Sequence, residues 1–158
     1  MSSFYEPLES PLGTLYLVHD RQRLLGLRFQ KPEGMGRARA PEACRSELRA
    51  YFQGSLRRFS FQVAPRGSSF ELQVWLALRD IPYGETRTYK WLAAHIGHPR
   101  ALRAVGQALA RNPLPIVLPC HRVIFSTGRL GGYSQGQHIK RRLLEMEYYF
   151  GLQDKVAS

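Results

Sequence analysis

Between Thr86 and Leu144 the chain has no aspartate or glutamate. That window nevertheless carries Arg87, Lys90, Arg100, Arg103, Arg111, Arg122, Arg129, Lys140, Arg141 and Arg142, whereas residues 1–67 mix eleven basic side chains with six acidic ones. A face of one sign draws a polyanion through its long-range field and through counterion release. Nucleic acid is therefore the leading partner and an anionic lipid surface the second, with a plain Arg-rich surface as the alternative. Cysteine is scarce as well: Cys44 and Cys120 are too few for a disulfide framework or a cysteine-dominated zinc site. One of them is a candidate for reactivity. Cys44 has no neighbours that suggest chemistry and reads as a small buried hydrophobe. No run approaches the ~20 apolar residues of a membrane span, and Met1-Ser2-Ser3-Phe4-Tyr5-Glu6 lacks the basic and apolar regions of a signal peptide. The expectation is a cytoplasmic or nucleoid-associated protein with no membrane partner. At 158 residues and 44% hydrophobic, with a net charge of +11, the chain can build one ordinary domain or two small ones.

The pattern favours two. Residues 4–29 alternate apolar and polar in short runs, Thr14 to Val18 and Leu24 to Phe29, joined across His19-Asp20-Arg21-Gln22, which reads as a β-hairpin or meander. Lys31 to Pro41 looks like a loop. Glu42 to Phe52 has helical spacing through Cys44, Leu48 and Tyr51, ended by Gly54, and Arg58 to Val63 reads as a further strand. Ala64-Pro65-Arg66-Gly67-Ser68 is a linker, so the chain is divided into 1–67 and 68–158. The second part is mainly helical. Ser69 caps a helix from Phe70 to about Asp80, Thr88 caps another from Tyr89 to Ile96, and a third runs from about Arg100 to Arg111 after the break at Gly97-His98-Pro99. Helix, short glycine turn, helix is the helix-turn-helix pattern, whose second helix enters a DNA groove. Here that helix carries Arg100, Arg103 and Arg111 beside Ala101, Ala104, Gly106 and Ala108. A glycine inside a helix costs up to about 1 kcal/mol against alanine, so close packing or close approach of a ligand should explain Gly106.

Pro119-Cys120-His121-Arg122 sets a thiol beside an imidazole and a guanidinium, surroundings that favour thiolate. In a strand Cys120 and His121 point to opposite faces, so the pair is useful only if the chain turns there. A base beside a nucleophile is usually oriented by a third group. From Gln137 to Phe150 a helix places Ile139, Leu143 and Glu147 on one apolar face, aiming Glu147 inward. An inward carboxylate needs a partner, and both His121 and an arginine qualify.

Taken in order, Phe70 with Val74-Trp75, Ile81-Pro82-Tyr83-Gly84 with Thr88-Tyr89, Arg103-Ala104-Val105-Gly106, Asn112-Pro113, Pro119-Cys120-His121-Arg122-Val123 and Gly131-Gly132-Tyr133-Ser134 resemble the catalytic domain of the 6-O-alkylguanine-DNA alkyltransferases, or methylated-DNA–protein-cysteine methyltransferases. The resemblance is strong over Phe70 to Phe150 and extends to residues 1–67 only in general plan. It implies an α+β protein: a small N-terminal α/β domain resembling ribonuclease H, with an antiparallel sheet and a helix, then a mainly helical, winged helix-turn-helix domain that binds DNA and accepts the alkyl group. It implies Cys120 as nucleophile and acceptor, His121 as a base acting through a water, Glu147 as the group orienting His121, Tyr89 as proton donor to the leaving guanine and Asn112 as hinge support. Arg103 is implied as the finger that fills the stack vacated by the flipped nucleotide, with Thr88, Arg100, Ala101, Ala104, Gly106 and Arg122 also at the DNA. Tyr133, Ser134, Val123 and Leu109 are implied for the substrate pocket.

The partner implied is double-stranded DNA containing alkylated guanine, bound by a monomer, with cooperativity left open. A base must be flipped out before its substituent can be reached, and a minor-groove helix with small residues and one inserted side chain suits that task. The product is a thioether that nothing nearby can hydrolyse, so each molecule reacts once. No cofactor and no metal are expected; Cys44 and His19 alone do not make the zinc site that some family members carry in the first domain. Leu102, Gln107 and Gln135 stand where the family often has smaller residues. Three other readings compete: a thiol hydrolase, a helix-turn-helix regulator that has no use for Cys120, and a lesion-binding relative, which would lack the acceptor cysteine.

Overall fold

The structure, a computed structural model, describes residues 2–157. Backbone contacts divide it into two compact units, one ending at Arg66 and the other starting at Gly67. In the first, β1 (Phe4–Ser10), β2 (Gly13–His19), β3 (Leu24–Arg28) and β4 (Gly36–Arg37) form a sheet of order β3-β2-β1-β4. The β1–β2 hairpin runs in unbroken antiparallel register from Phe4↔His19 to Ser10↔Gly13. Its turn is possible because Gly13 takes a φ of +105°, a region that side chains avoid. Alternation buries Leu15 and Leu17 of β2 on one face, and α1 (Glu42–Phe52) covers that core with Cys44, Leu48, Tyr51 and Phe52. The stripe Cys44, Leu48, Tyr51 is the one read from the sequence, and Phe52 extends it.

Two expectations for this unit fail. The loop from Lys31 to Pro41 contains β4, which pairs in parallel with Phe4 and Tyr5. The segment from Arg58 to Val63 is not a strand. Only Val63 bridges to Leu24, because the Glu47 carboxylate takes the Ser60 N–H (2.7 Å) and hydroxyl (2.6 Å), while Phe59 turns toward Tyr51 at 5.3 Å between ring centroids. A side-chain acceptor has replaced the ladder.

The second unit runs α2 (Ser69–Ala77), a 3-10 turn (Leu78–Asp80), β5 (Arg87–Thr88), α3 (Tyr89–His95), α4 (Leu102–Ala110), a second 3-10 turn (Cys120–Arg122), β6 (Val123–Ile124) and α5 (Gln137–Ala157). The cap of α2 is Ser68 rather than Ser69: Ser68 Oγ accepts from the Glu71 N–H at 3.1 Å, and Glu71 Oε1 accepts from the Ser68 N–H at 2.9 Å. That reciprocal pair satisfies two otherwise orphaned donors. Gly67 just before it has to be glycine, since a Cβ there would lie 2.5 Å from the Trp75 ring. Thr88 caps α3 as expected, accepting from the Trp91 N–H at 2.9 Å. α4 is shorter than expected; the turn at Pro99-Arg100 leaves Arg100 and Ala101 outside it. α5 extends past Phe150 to Ala157. Trp75 ties α2 to the end of α4 by donating its indole N–H to the Ala108 carbonyl at 2.7 Å in the interior.

Ser68→Ala removes one half of the cap pair and is expected to lower unfolding stability by about 1 kcal/mol. Urea denaturation of the two proteins checks this; an unchanged midpoint refutes it.

Candidate active site

A 3-10 turn, not a strand, carries Cys120, His121 and Arg122, so consecutive side chains fan out around one turn. Pro119, with no N–H to donate, precedes it, and the Cys120 N–H closes back on the Leu118 carbonyl at 2.7 Å. From there the sequence of contacts is dense. His121 Nε2 lies 2.7 Å from Glu147 Oε2, and Arg122 donates to both oxygens of the same carboxylate, from Nε to Oε1 at 2.9 Å and from Nη2 to Oε2 at 3.0 Å. Arg122 also donates to the Ile81 carbonyl at 2.8 Å, and Gly84 N–H reaches Glu147 Oε1 at 3.3 Å. Both partners left open for Glu147 are thus present together. This corrects the expectation that Arg122 contacts DNA: it is 6% exposed, and its charge is committed to Glu147 inside the domain.

The network fixes protonation. Burial opposes charge on Glu147, but His121 and Arg122 outweigh it and hold the carboxyl below its usual range. Burial pushes the His121 imidazole down, against the pull of Glu147, so the ring is neutral near neutral pH. A carboxylate only accepts, so Nε2 carries the hydrogen and Nδ1 keeps its lone pair. Nδ1 is buried with no hydrogen-bond partner among the described residues. A neutral imidazole with one nitrogen anchored and the other open is a base awaiting a proton.

Cys120 does not behave as its neighbours in sequence suggest. Burial pushes its thiol up to about 11; the Asn112 side chain and the Lys140 charge pull the other way and do not prevail. The thiol is therefore protonated at rest. Asn112 is buried and braces the approach to it, donating from Nδ2 to the Leu118 carbonyl at 2.8 Å and accepting the Leu114 N–H at 2.9 Å. Between them Ile116 sits at φ +78°, a strained position for a β-branched residue.

A cavity of about 580 Å³ opens over the thiol, of the size that holds a small ligand. Tyr89, Leu109, Cys120, Tyr133, Ser134 and Gly106 are among the residues lining it. A Cβ built on Gly106 meets nothing within 4 Å, so internal packing does not demand this glycine and approach from outside remains its explanation. Val123 is a correction: it is fully buried and absent from the lining, and its carbonyl accepts from Lys140 Nζ at 2.6 Å. Arg103 and Ala104 are exposed on α4, Arg100 is exposed before it, and Ala101 and Thr88 are half-exposed.

Residues 69–149 match the family described as 6-O-methylguanine DNA methyltransferase, DNA binding domain, and residues 3–65 match its ribonuclease-like domain. The methylated-DNA–protein-cysteine methyltransferase of Methanosarcina barkeri is 47% identical over 155 residues, covering 91% of this chain and 96% of that one.

The chain belongs to the 6-O-methylguanine DNA methyltransferase family.

Among solved structures, the Mycobacterium tuberculosis O6-methylguanine methyltransferase superposes with a TM-score of 0.87 at 42% identity, covering 93% of each chain. The Mycobacterium tuberculosis OGT in complex with DNA gives 0.89 at 41%, covering 93% of this chain and 94% of that one. The likeness at this level spans both units, in keeping with the match of residues 3–65 to the ribonuclease-like domain.

Lys140 is a residue of this methyltransferase site that sequence reasoning missed. Lys140 counts there only as part of the basic window, yet it is fully buried, holding the Val123 and Gly132 carbonyls at 2.6 and 3.2 Å and sitting 5.8 Å from the Tyr89 ring centroid. Burial lowers its pKa to about 8. Its position one residue after Ile139 on α5, next to an apolar stripe, was the only signal. Gly131, the first residue of a motif read from the sequence, has a structural reason to be glycine: at φ +77°, a Cβ on it would lie 2.5 Å from the Tyr89 hydroxyl. Burial raises the pKa of that hydroxyl, leaving it a proton carrier at neutral pH.

Glu147→Gln leaves Arg122 without its counter-charge and is expected to destabilise the protein by about 3 kcal/mol at neutral pH. A carboxyl depressed by folding contributes stability above its ordinary value of 4.5, and that contribution is lost as pH falls through the lower folded value. The gap between the two proteins in thermal midpoint should therefore narrow as pH is taken below about 4.5. A gap constant from pH 7 to 3 refutes the assignment.

Proposed function

We propose that this protein repairs DNA by direct reversal of damage, taking the alkyl group from the 6-oxygen of a modified guanine onto Cys120 in one irreversible transfer. The observation that carries the reading is the thiol beneath a ligand-sized cavity, on the same turn as a neutral imidazole anchored by a buried carboxylate. Methylated-DNA–protein-cysteine methyltransferase is the name of the relatives, and one structural relative was solved with DNA.

Duplex DNA containing alkylated guanine is the partner. Arg103 on exposed α4 enters the minor groove and takes the place of the flipped nucleotide, while Ala104 and Gly106 allow the helix close approach; Ala101, Thr88 and Arg100 lie at the same surface. Guanine occupies the cavity against Tyr133 and Ser134. His121 Nδ1 withdraws the Cys120 proton through a water, the sulfur bonds to the alkyl carbon as the carbon–oxygen bond breaks, and Tyr89 supplies a proton to the leaving base. A positioned acid and base each contribute about 10²- to 10⁴-fold. The thiol is protonated until substrate arrives, which suits a reagent that can be used once. The division into 1–67 and 68–158 assigns this chemistry to the second part. A nucleoid-associated, intracellular location fits the partner.

An oligonucleotide carrying labelled 6-O-methylguanine should transfer label to the Cys120 peptide in a one-to-one burst, and Cys120→Ala should transfer none. Sustained turnover, or undiminished transfer by the variant, sinks the proposal. Arg103→Ala should slow repair of duplex DNA far more than reaction with a free-base analogue; equal losses on the two substrates remove the finger role.

A further inference from the structure

Several cations of the acid-free window have partners within the protein. Arg122 is held by Glu147 and Lys140 by the Val123 and Gly132 carbonyls, while Arg87 pairs with Glu85 at 2.9 Å and Arg111 lies 3.7 Å from Glu71. Lys90, Arg100, Arg103, Arg129 and Arg141 are exposed and form no ion pair among the described residues. Arg100 and Arg103 stand at α4, and Arg141 stands on α5 outside the cavity lining. Lys90 and Arg129 are left, and the fold brings both to the mouth of the Cys120 cavity. α4 supplies one wall of that cavity through Leu102, Gly106 and Leu109. Lys90 belongs to another wall, with Tyr89 before it on α3 and with Phe125 and Ser126 from the turn after β6. Strand register sets this wall: Thr88 lies opposite Ile124, and the Tyr89 and Phe125 rings that follow meet at 4.9 Å between centroids. The Phe125 N–H donates to the Arg129 carbonyl at 2.9 Å and the Gly128 N–H to the Phe125 carbonyl at 2.9 Å, with Gly128 at φ +88°. That double closure fixes the Arg129 backbone beside the lining. Two unpaired charges of one sign at one rim repel each other and add nothing to the stability of the fold.

We propose that Lys90 and Arg129 form a phosphate clamp, taking the backbone phosphates that flank the extruded nucleotide on the wall that α4 does not supply. The inference rests on Cys120 accepting the alkyl group from a flipped guanine. A base that reaches Cys120 draws its sugar and both flanking phosphates to the cavity mouth, where their charges are crowded together. An ammonium and a guanidinium waiting there neutralise them and release their counterions. The two walls thus divide the work. α4 meets the groove with Arg103 and its small residues, whereas Lys90 and Arg129 meet the stretch of backbone that has left the stack. Their contacts form fully only once the nucleotide is out. The clamp therefore favours the extruded state over the stacked one and leaves the binding of unmodified duplex to α4. Neither residue takes part in bond making.

The test compares two salt dependences for the full chain and for Lys90→Ala, Arg129→Ala, Lys90→Arg and Arg129→Lys. One is the second-order rate constant for single-turnover repair of a duplex carrying 6-O-methylguanine; the other is equilibrium binding of the same duplex unmodified. On a plot of log rate against log salt, each alanine variant should be shallower than the parent by about 0.9, the contribution of one phosphate contact. Lys90→Arg and Arg129→Lys keep the charge and should keep the parent's slope. The slope for binding the unmodified duplex should stay at the parent's value throughout. An unchanged repair slope in either alanine variant overturns the proposal. So does an equal change on the unmodified duplex, which marks the two residues as ordinary groove contacts. Free 6-O-methylguanine has no phosphates, so a loss on it equal to the loss on duplex also overturns the clamp and marks damage to the pocket. Failure of the parent chain to alkylate Cys120 with the modified duplex rejects the underlying reading instead.

Discussion

The Glu147 carboxylate is the constraint on which the second unit depends. One side chain from α5 receives His121, Arg122 and the Gly84 N–H, while Arg122 goes on to the Ile81 carbonyl. A single buried anion therefore binds the helix, the cysteine-bearing turn and the turn at Ile81 to Gly84. Desolvating two opposite charges is expensive, and the expense is offset only where each lone pair and each N–H finds a partner, as here. The arrangement is more valuable for position than for stability. Cys120 sits on the turn that Glu147 holds, and any slackness would be passed on to the sulfur.

From that anchor the electrostatics of the site follow. Arg122 neutralises Glu147, which lets His121 stay uncharged in the interior with one nitrogen tied down and the other open. A neutral base has to coexist with a thiol whose pKa is raised to about 11, and that combination is stable: no thiolate stands ready to be oxidised. Lys140 contributes a second cation near the sulfur, itself weakened to about 8 by burial.

The backbone between α4 and the thiol carries the strain of this placement. Asn112 satisfies the Leu114 N–H and the Leu118 carbonyl, and within the segment it spans Ile116 takes a positive φ at a cost of about 1–3 kcal/mol. Buried Leu114, Val117 and Leu118 hold the segment in place. The same economy explains Gly131, where backbone freedom and absence of a Cβ together let the Tyr89 hydroxyl approach.

Local rules were enough for what depends on neighbours in the chain. The period-2 strands of residues 4–28, the stripe Cys44, Leu48, Tyr51 of α1, the Thr88 cap and the inward face of α5 were legible because side-chain direction within one element follows from its repeat. The ordered motifs from Phe70 to Ser134 were legible for the same reason, each being short and contiguous. Competition between distant groups was not legible. Glu47 drew Ser60 out of a strand, and Glu147 drew Arg122 inward from the basic window that otherwise suggested a DNA contact. Burial reversed the thiolate tendency of Cys120 and made Lys140 an interior residue. The sequence by itself determined which residue types stand on which faces; only the tertiary structure decided which charges meet, because desolvation and pairing depend on what packs across the chain rather than along it.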